Sequence, residues 1–207
     1  MDEANFLIDG PAKGATVALA HGAGAAMDSE WMNDMTAGLT DRGLRVVRFE
    51  FPYMQRRRDD GKRRGPDRPP VLLETWRTVI ATLAESSPLV IGGKSMGGRI
   101  ASMVADECEV DGLVCMGYPF HPPRAPEKLR TAHLEHLRTA TLILQGTRDT
   151  FGLPSEVDGY ALAESIRVHW LEDGDHSFKP RVKSGRTLAE NINEAMDEID
   201  RFTQTLR

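Results

Sequence analysis

The stretch Leu89-Val90-Ile91-Gly92-Gly93-Lys94-Ser95-Met96-Gly97-Gly98-Arg99 narrows the fold of this chain more than any other. An apolar run passes directly into Gly-x-Ser-x-Gly and then into helical spacing at Ile100, Met103 and Val104. That order predicts a strand, a sharp turn that lifts a serine, and a helix. Such a turn strains its central residue and crowds the neighbouring chain, so Gly93 and Gly97, which lack a Cβ, suit the flanking positions. A helix start behind Ser95 supplies free backbone donors and the positive end of a dipole, both suited to holding a developing oxyanion.

The remaining chain repeats the alternation of short apolar runs with longer amphipathic segments. Strands are expected at Thr16–Ala20, Leu44–Phe49, Leu89–Gly92, Gly112–Met116, Thr141–Leu144 and Ile166–Leu171, with a weaker edge strand around Asn5–Ile8. Most are continuous rather than alternating, as strands buried on both faces should be. Helices are expected at Asp28–Arg42, Pro70–Ser86, after Ser95, at Glu127–Leu137 and at Gly185–Leu206. The fold class that follows is α/β: a mostly parallel central sheet with helices on both faces. With 207 residues and no internal repeat or linker, one domain spanning residues 1–207 is expected.

Charge excludes several classes. A net charge of -5 argues against a general affinity for nucleic acid or an anionic membrane, and no apolar run approaches the roughly 20 residues that span a bilayer. The acidic start Met1-Asp2-Glu3-Ala4-Asn5 does not read as a secretory signal. Two cysteines, Cys108 and Cys115, are too few for a disulfide framework, and a cytoplasmic location is the expectation. The segment from Arg56 to Arg68 is highly charged and rich in turn formers, so it is expected to be a solvated loop. It follows a strand on the side of Ser95, which makes it a candidate rim for anionic substrates or a contact surface for a protein partner.

A serine hydroxyl needs a base to take its proton, commonly a histidine oriented by a carboxylate, and on a strand–turn–helix scaffold these follow in the order Ser, Asp or Glu, His. Asp149 lies just past the apolar strand Thr141–Leu144, and His176 lies in a Gly/Asp-rich loop past Ile166–Leu171. Both therefore emerge, with Ser95, from the same edge of a parallel sheet. Asp173 and Asp175 compete with Asp149, but they share a loop with His176 and approach the outward ring nitrogen less easily. His21, His121, His133, His136 and His169 compete with His176; His169 falls within a strand, and His133 and His136 within an expected helix.

Two oxyanion donors are expected. One is the Met96 amide, and the other is an amide at Gly22 or Ala23 in Ala20-His21-Gly22-Ala23-Gly24, which opens after a strand. His21 is read as a residue that fixes this loop and, with Tyr118, Phe120 and His121, as a candidate substrate-site residue, the last three as walls of the site. Gly93-Lys94-Ser95 lacks the earlier glycine of a phosphate-binding loop, and no cluster has zinc-ligand spacing, so no metal and no cofactor are expected.

Assembled, these segments resemble a compact α/β-hydrolase without a cap domain. They are similar to the group of testis-expressed protein 30 and KAT8 regulatory complex subunit 3, and to dienelactone hydrolases. The resemblance runs through Leu19–Gly24, Phe51-Pro52-Tyr53, Gly92–Arg99, Gly117–Pro123 and Gly174–Phe178. Dienelactone hydrolases use cysteine where this chain has Ser95, so the resemblance implies the fold and a serine nucleophile but not their substrate. The expected reaction is cleavage of a small carboxylic ester or thioester by Ser95, His176 and Asp149, with a small acyl compound as partner. Because some relatives work within protein assemblies, the alternative is a non-catalytic hydrolase-fold interaction module.

Overall fold

Seven strands, β1 (Leu7–Asp9), β2 (Thr16–Ala20), β3 (Arg45–Phe49), β4 (Leu89–Lys94), β5 (Gly112–Met116), β6 (Thr141–Gly146) and β7 (Ile166–Leu171), pair in the order β1-β3-β2-β4-β5-β6-β7. Strand β1 runs antiparallel to β3, and every other neighbouring pair is parallel. The computed structural model describes residues 6–86 and 88–206. The acidic start Met1–Asn5, including the first residue of the expected edge strand, lies outside them.

Burial on both faces explains the unbroken apolar runs: every residue of β2 and β5 is buried. One face packs α1 (Glu30–Asp41) and α6 (Leu188–Gln204) through Met32, Met35, Leu39, Ile192, Ala195 and Ile199. The other face packs α3 (Pro69–Thr82) and α4 (Met96–Ser102) through Trp76, Val79, Ile80, Ile100 and Ala101. Helix α6 begins on a capping box, with Thr187 accepting from the Glu190 amide and Glu190 accepting from that of Thr187. Among the described residues, no helix is long and apolar enough to cross a membrane.

Strands β4 and β6 each extend two residues past the apolar core expected for them, to Lys94 and Gly146. Parallel neighbours continue the ladder there, and register outweighs composition. Two expectations change more. The charged segment is not a loop throughout: α2 (Pro52–Asp60) carries Arg56, Arg57 and Arg58 in helical turns. Pro52 fits the first turn, Tyr53 and Met54 bury against the core, Arg57 and Arg58 complement the negative end of the dipole, and Gly61 closes the helix in the left-handed region. The expected helix at Glu127–Leu137 shrinks to a 3-10 turn at Ala132–His136. Bonds from the Arg130 amide to the Phe120 carbonyl and from the Tyr118 hydroxyl to the Arg130 carbonyl occupy groups a longer helix would need. A short helix that the sequence does not announce, α5 (Pro154–Val157), lies between β6 and β7.

Candidate active site

Ser95 stands between β4 and α4 with φ 52° and ψ -113°, a conformation that L-residues seldom adopt. The glycines around it are a condition of the turn. A Cβ on Gly93 would sit 2.1 Å from the Ala20 carbonyl oxygen, and one on Gly97 would sit 2.5 Å from the same atom. The serine is thereby pressed against the end of β2, and a Cβ on Gly22 would lie 3.9 Å from the Ser95 Cβ. The loop after β2 and the start of α4 thus flank one side chain. There the first-turn amides of α4, Met96 included, have no carbonyl partner within the helix.

Across the sheet edge, His176 Nε2 lies 2.9 Å from Ser95 Oγ, and His176 Nδ1 lies 2.8 Å from Asp149 Oδ2. Because an ionised carboxylate only accepts, the Nδ1–H donates to Asp149, leaving Nε2 free to accept from the serine. Asp149 is fully buried, yet its carboxylate is satisfied: Gln145 Nε2 donates to Oδ2 at 3.0 Å and the Phe151 amide to Oδ1 at 3.0 Å. The Phe151 ring packs on the imidazole at 4.4 Å between centroids. The structure thus brings Ser95, Asp149 and His176 within hydrogen-bond reach of one another.

The rival carboxylates have other partners. Asp173 accepts from Arg181 and Arg148, and the Arg181 guanidinium holds its carboxyl well below the usual range. Asp175 accepts from the Ser177 and Lys179 amides at 2.8 and 3.0 Å and so shapes the loop that carries His176. Trp31 Nε1 donates to the Ser177 carbonyl and Asn191 Nδ2 to the Phe178 carbonyl, tying that loop to α1 and α6.

The histidine loop also depends on two glycines that sequence reasoning did not single out. A Cβ on Gly117 would fall 3.0 Å from the His176 carbonyl oxygen, and one on Gly146 would fall 2.3 Å from the Gly174 carbonyl oxygen. Both stand at the ends of apolar runs, which was the available signal.

The loop after β2 is held from below. The Phe51 amide donates to His21 Nε2 at 3.2 Å, so the proton is on Nδ1 and is donated to the Gly22 carbonyl at 2.7 Å. Burial holds His21 below the ordinary imidazole range, in keeping with that neutral tautomer. The Tyr53 hydroxyl donates to the Ala23 carbonyl at 3.0 Å. With these carbonyls turned to the protein, His21 acts on the loop rather than on a substrate.

Tyr118, Phe120 and His121 correct the sequence expectation in the same way. All are 2% exposed or less and are engaged internally: the Tyr118 hydroxyl with Arg130, the Phe120 ring against Tyr118 and Tyr160, and His121 with Glu156. They back the site without offering it surface.

A hollow of about 220 Å³ opens beside the β2 loop, lined by Gly24, Ala26, Glu50, Met54, Arg57 and Arg58. A larger groove of about 570 Å³, walled by Phe49, Pro52, Val71 and Val79, touches none of Ser95, Asp149 or His176. Ser95 and His176 sit at the open sheet edge rather than in that groove. The arginines nearby are largely committed: Arg58 bridges Asp28 and buried Glu50, Arg56 pairs with Asp67, and Arg64 with Asp60. Among the described residues, no group of three or more His, Cys, Asp or Glu side chains is placed to hold a metal.

Residues 13–204 match the family model described as an alpha/beta hydrolase domain. Similar solved structures include an α/β serine hydrolase without lid from Xanthomonas campestris, at TM-score 0.71 and 18% identity over 95% of this chain and 88% of that one. An α/β serine hydrolase homologue from Coxiella burnetii gives TM-score 0.70 and 19% identity over 93% and 90%. A dienelactone hydrolase from Anabaena variabilis gives 0.66 and 20% over 93% and 88%. At these identities the likeness is one of fold.

Proposed function

Because this chain belongs to the alpha/beta hydrolase family, we propose that it is a serine hydrolase that cleaves a carboxylic ester or thioester through an acyl-enzyme on Ser95. The observation that carries this reading is the continuous pair of hydrogen bonds from buried Asp149 through His176 to Ser95, at 2.8 and 2.9 Å.

Ser95 Oγ attacks the carbonyl carbon as its proton passes to His176 Nε2. The imidazolium then gives that proton to the leaving alcohol or thiol. Water enters by the same base, and the acid is released with Ser95 restored. Asp149 keeps the ring in the tautomer that presents Nε2 to the serine and stabilises the transient imidazolium. The Met96 amide, with that of Gly22 or Ala23, holds the tetrahedral oxyanion. The open position of Ser95 favours small esters or thioesters, or the exposed end of a larger acyl compound. Within the family, the segments around His21, Ser95, Tyr118 and His176 support grouping the chain with testis-expressed protein 30 and its relatives.

Labelling by a fluorophosphonate probe tests the reading. Folded protein is expected to label at Ser95, and Ser95→Ala to lose all labelling. Folded wild-type protein that does not react would overturn the proposal.

A further inference from the structure

Lys94 ends β4 immediately before Ser95 but takes no part in the proton path. Its Nζ instead donates to the main-chain carbonyl of His176. The ammonium lies over the faces of Trp31 and Phe178, 5.6 and 5.9 Å from their centroids. A Cβ on Gly117 would fall 2.9 Å from Lys94 Nζ and 3.2 Å from His176 Nδ1, so one small residue separates the cation from the imidazole.

The charged groups facing Lys94 are Asp149, from the turn after β6, and Asp175, from the histidine loop. Each is already engaged, Asp149 with His176 and Asp175 with backbone amides. Loss of water pulls the lysine down to about 8 against the attraction of those carboxylates. A methionine could fill much of this aromatic cradle without the cost of burying a charge. The property used at this position is therefore the charge and its hydrogen bond.

We propose that Lys94 is a positioning residue of the hydrolytic site: its ammonium ties the His176 main chain to the end of β4. This rests on the reading of Ser95 and His176 given above. The clamp fixes the base against the nucleophile, because Lys94 and Ser95 are consecutive residues of one strained turn.

The test compares wild type, Lys94→Met and Lys94→Arg for the second-order rate of fluorophosphonate labelling at pH 7, together with thermal melting. Lys94→Met is expected to label roughly tenfold more slowly, as the imidazole loses its fixed approach to Ser95. Its melting midpoint should be no lower than that of wild type, because a costly buried charge is gone. Lys94→Arg, which can again donate to the His176 carbonyl, should recover part of the rate. A Lys94→Met protein that labels at the wild-type rate, or a Lys94→Arg protein that labels no faster than Lys94→Met, would overturn the role of Lys94 alone. A wild-type protein that fails to label removes the reading of Ser95 and this inference with it.

Discussion

Among the described residues, two serines lie within hydrogen-bond distance of a histidine, Ser95 with His176 at 2.9 Å and Ser102 with His133 at 2.8 Å. The two are on opposite ends of α4, and their chemistry differs in direction. Ser102 Oγ donates its one proton to the Arg99 carbonyl at 2.7 Å, so His133 Nε2 must carry the hydrogen between them. The Tyr118 hydroxyl, 3.4 Å away, donates to the Arg130 carbonyl and likewise leaves Nε2 as the donor. Burial, helped by Arg99, pushes His133 down from its ordinary value, and among the described residues no carboxylate bonds to its ring as Asp149 does to that of His176. Ser102 is buried in a regular helix, whereas Ser95 is held out of one by a strained turn. A short Ser–His distance is therefore not a nucleophile–base pair. The proton's direction, the carboxylate behind the ring and access to the oxygen separate them.

Removing the carboxylate should erase most of that difference. In Asp149→Asn the side-chain amide can donate to Nδ1, which places the ring proton on Nε2, the arrangement His133 already has. Labelling is expected to fall by about 10³- to 10⁴-fold with folding retained. A variant that keeps near-normal reactivity would mean that another group orients His176, and Asp175 would be the first to examine.

Ser102→Ala probes the other pair and should behave in the opposite sense. Labelling of Ser95 should stay within about twofold of wild type, because Ser102 meets no substrate. Stability should drop by about 1 kcal/mol, as His133 Nε2–H loses its acceptor in a partly buried setting. Urea unfolding at neutral pH measures the loss. Abolished labelling in folded Ser102→Ala would reverse the assignment of the two serines.

The contrast also explains what could be read from the residues. Ser95 was legible because its turn demands glycines at fixed offsets between an apolar run and a helix, and Asp149 and His176 because strand ends in a parallel sheet share an edge. The sequence order is local information with a topological consequence. His133 was placed in a helix that the chain does not form, since the spacing of Leu134 and Leu137 fits a helix or a single buried turn equally well. Bonds from Phe120 and Tyr118, distant in sequence, decide for the turn. Tyr118, Phe120 and His121 were misread for a related reason. Aromatic residues past a strand end suggest a wall, and only tertiary packing shows that their faces are covered. Lys94 escaped notice because lysine is ordinarily solvated. Nothing local announces that Trp31, Gly117 and the His176 carbonyl will close around it.

The smallest expected effect concerns the pH dependence of stability. His133 is held below 6.5 in the fold by burial and by Arg99, whereas the unfolded chain takes up its proton near 6.5. As pH falls through 6.5, the unfolded state binds more protons than the native state, so this contribution is present above 6.5 and is lost on acidification. His21 is shifted in the same direction by its own burial and adds to the same slope. Replacing His133 with Gln, which can still donate to Ser102, should therefore reduce the loss of urea stability between pH 7.5 and pH 5.5 without removing it. Equal losses in the two proteins would mean that His133 takes a proton as readily in the fold as out of it. The second serine–histidine pair would then regain a base able to accept a proton, and burial would no longer separate it from the first.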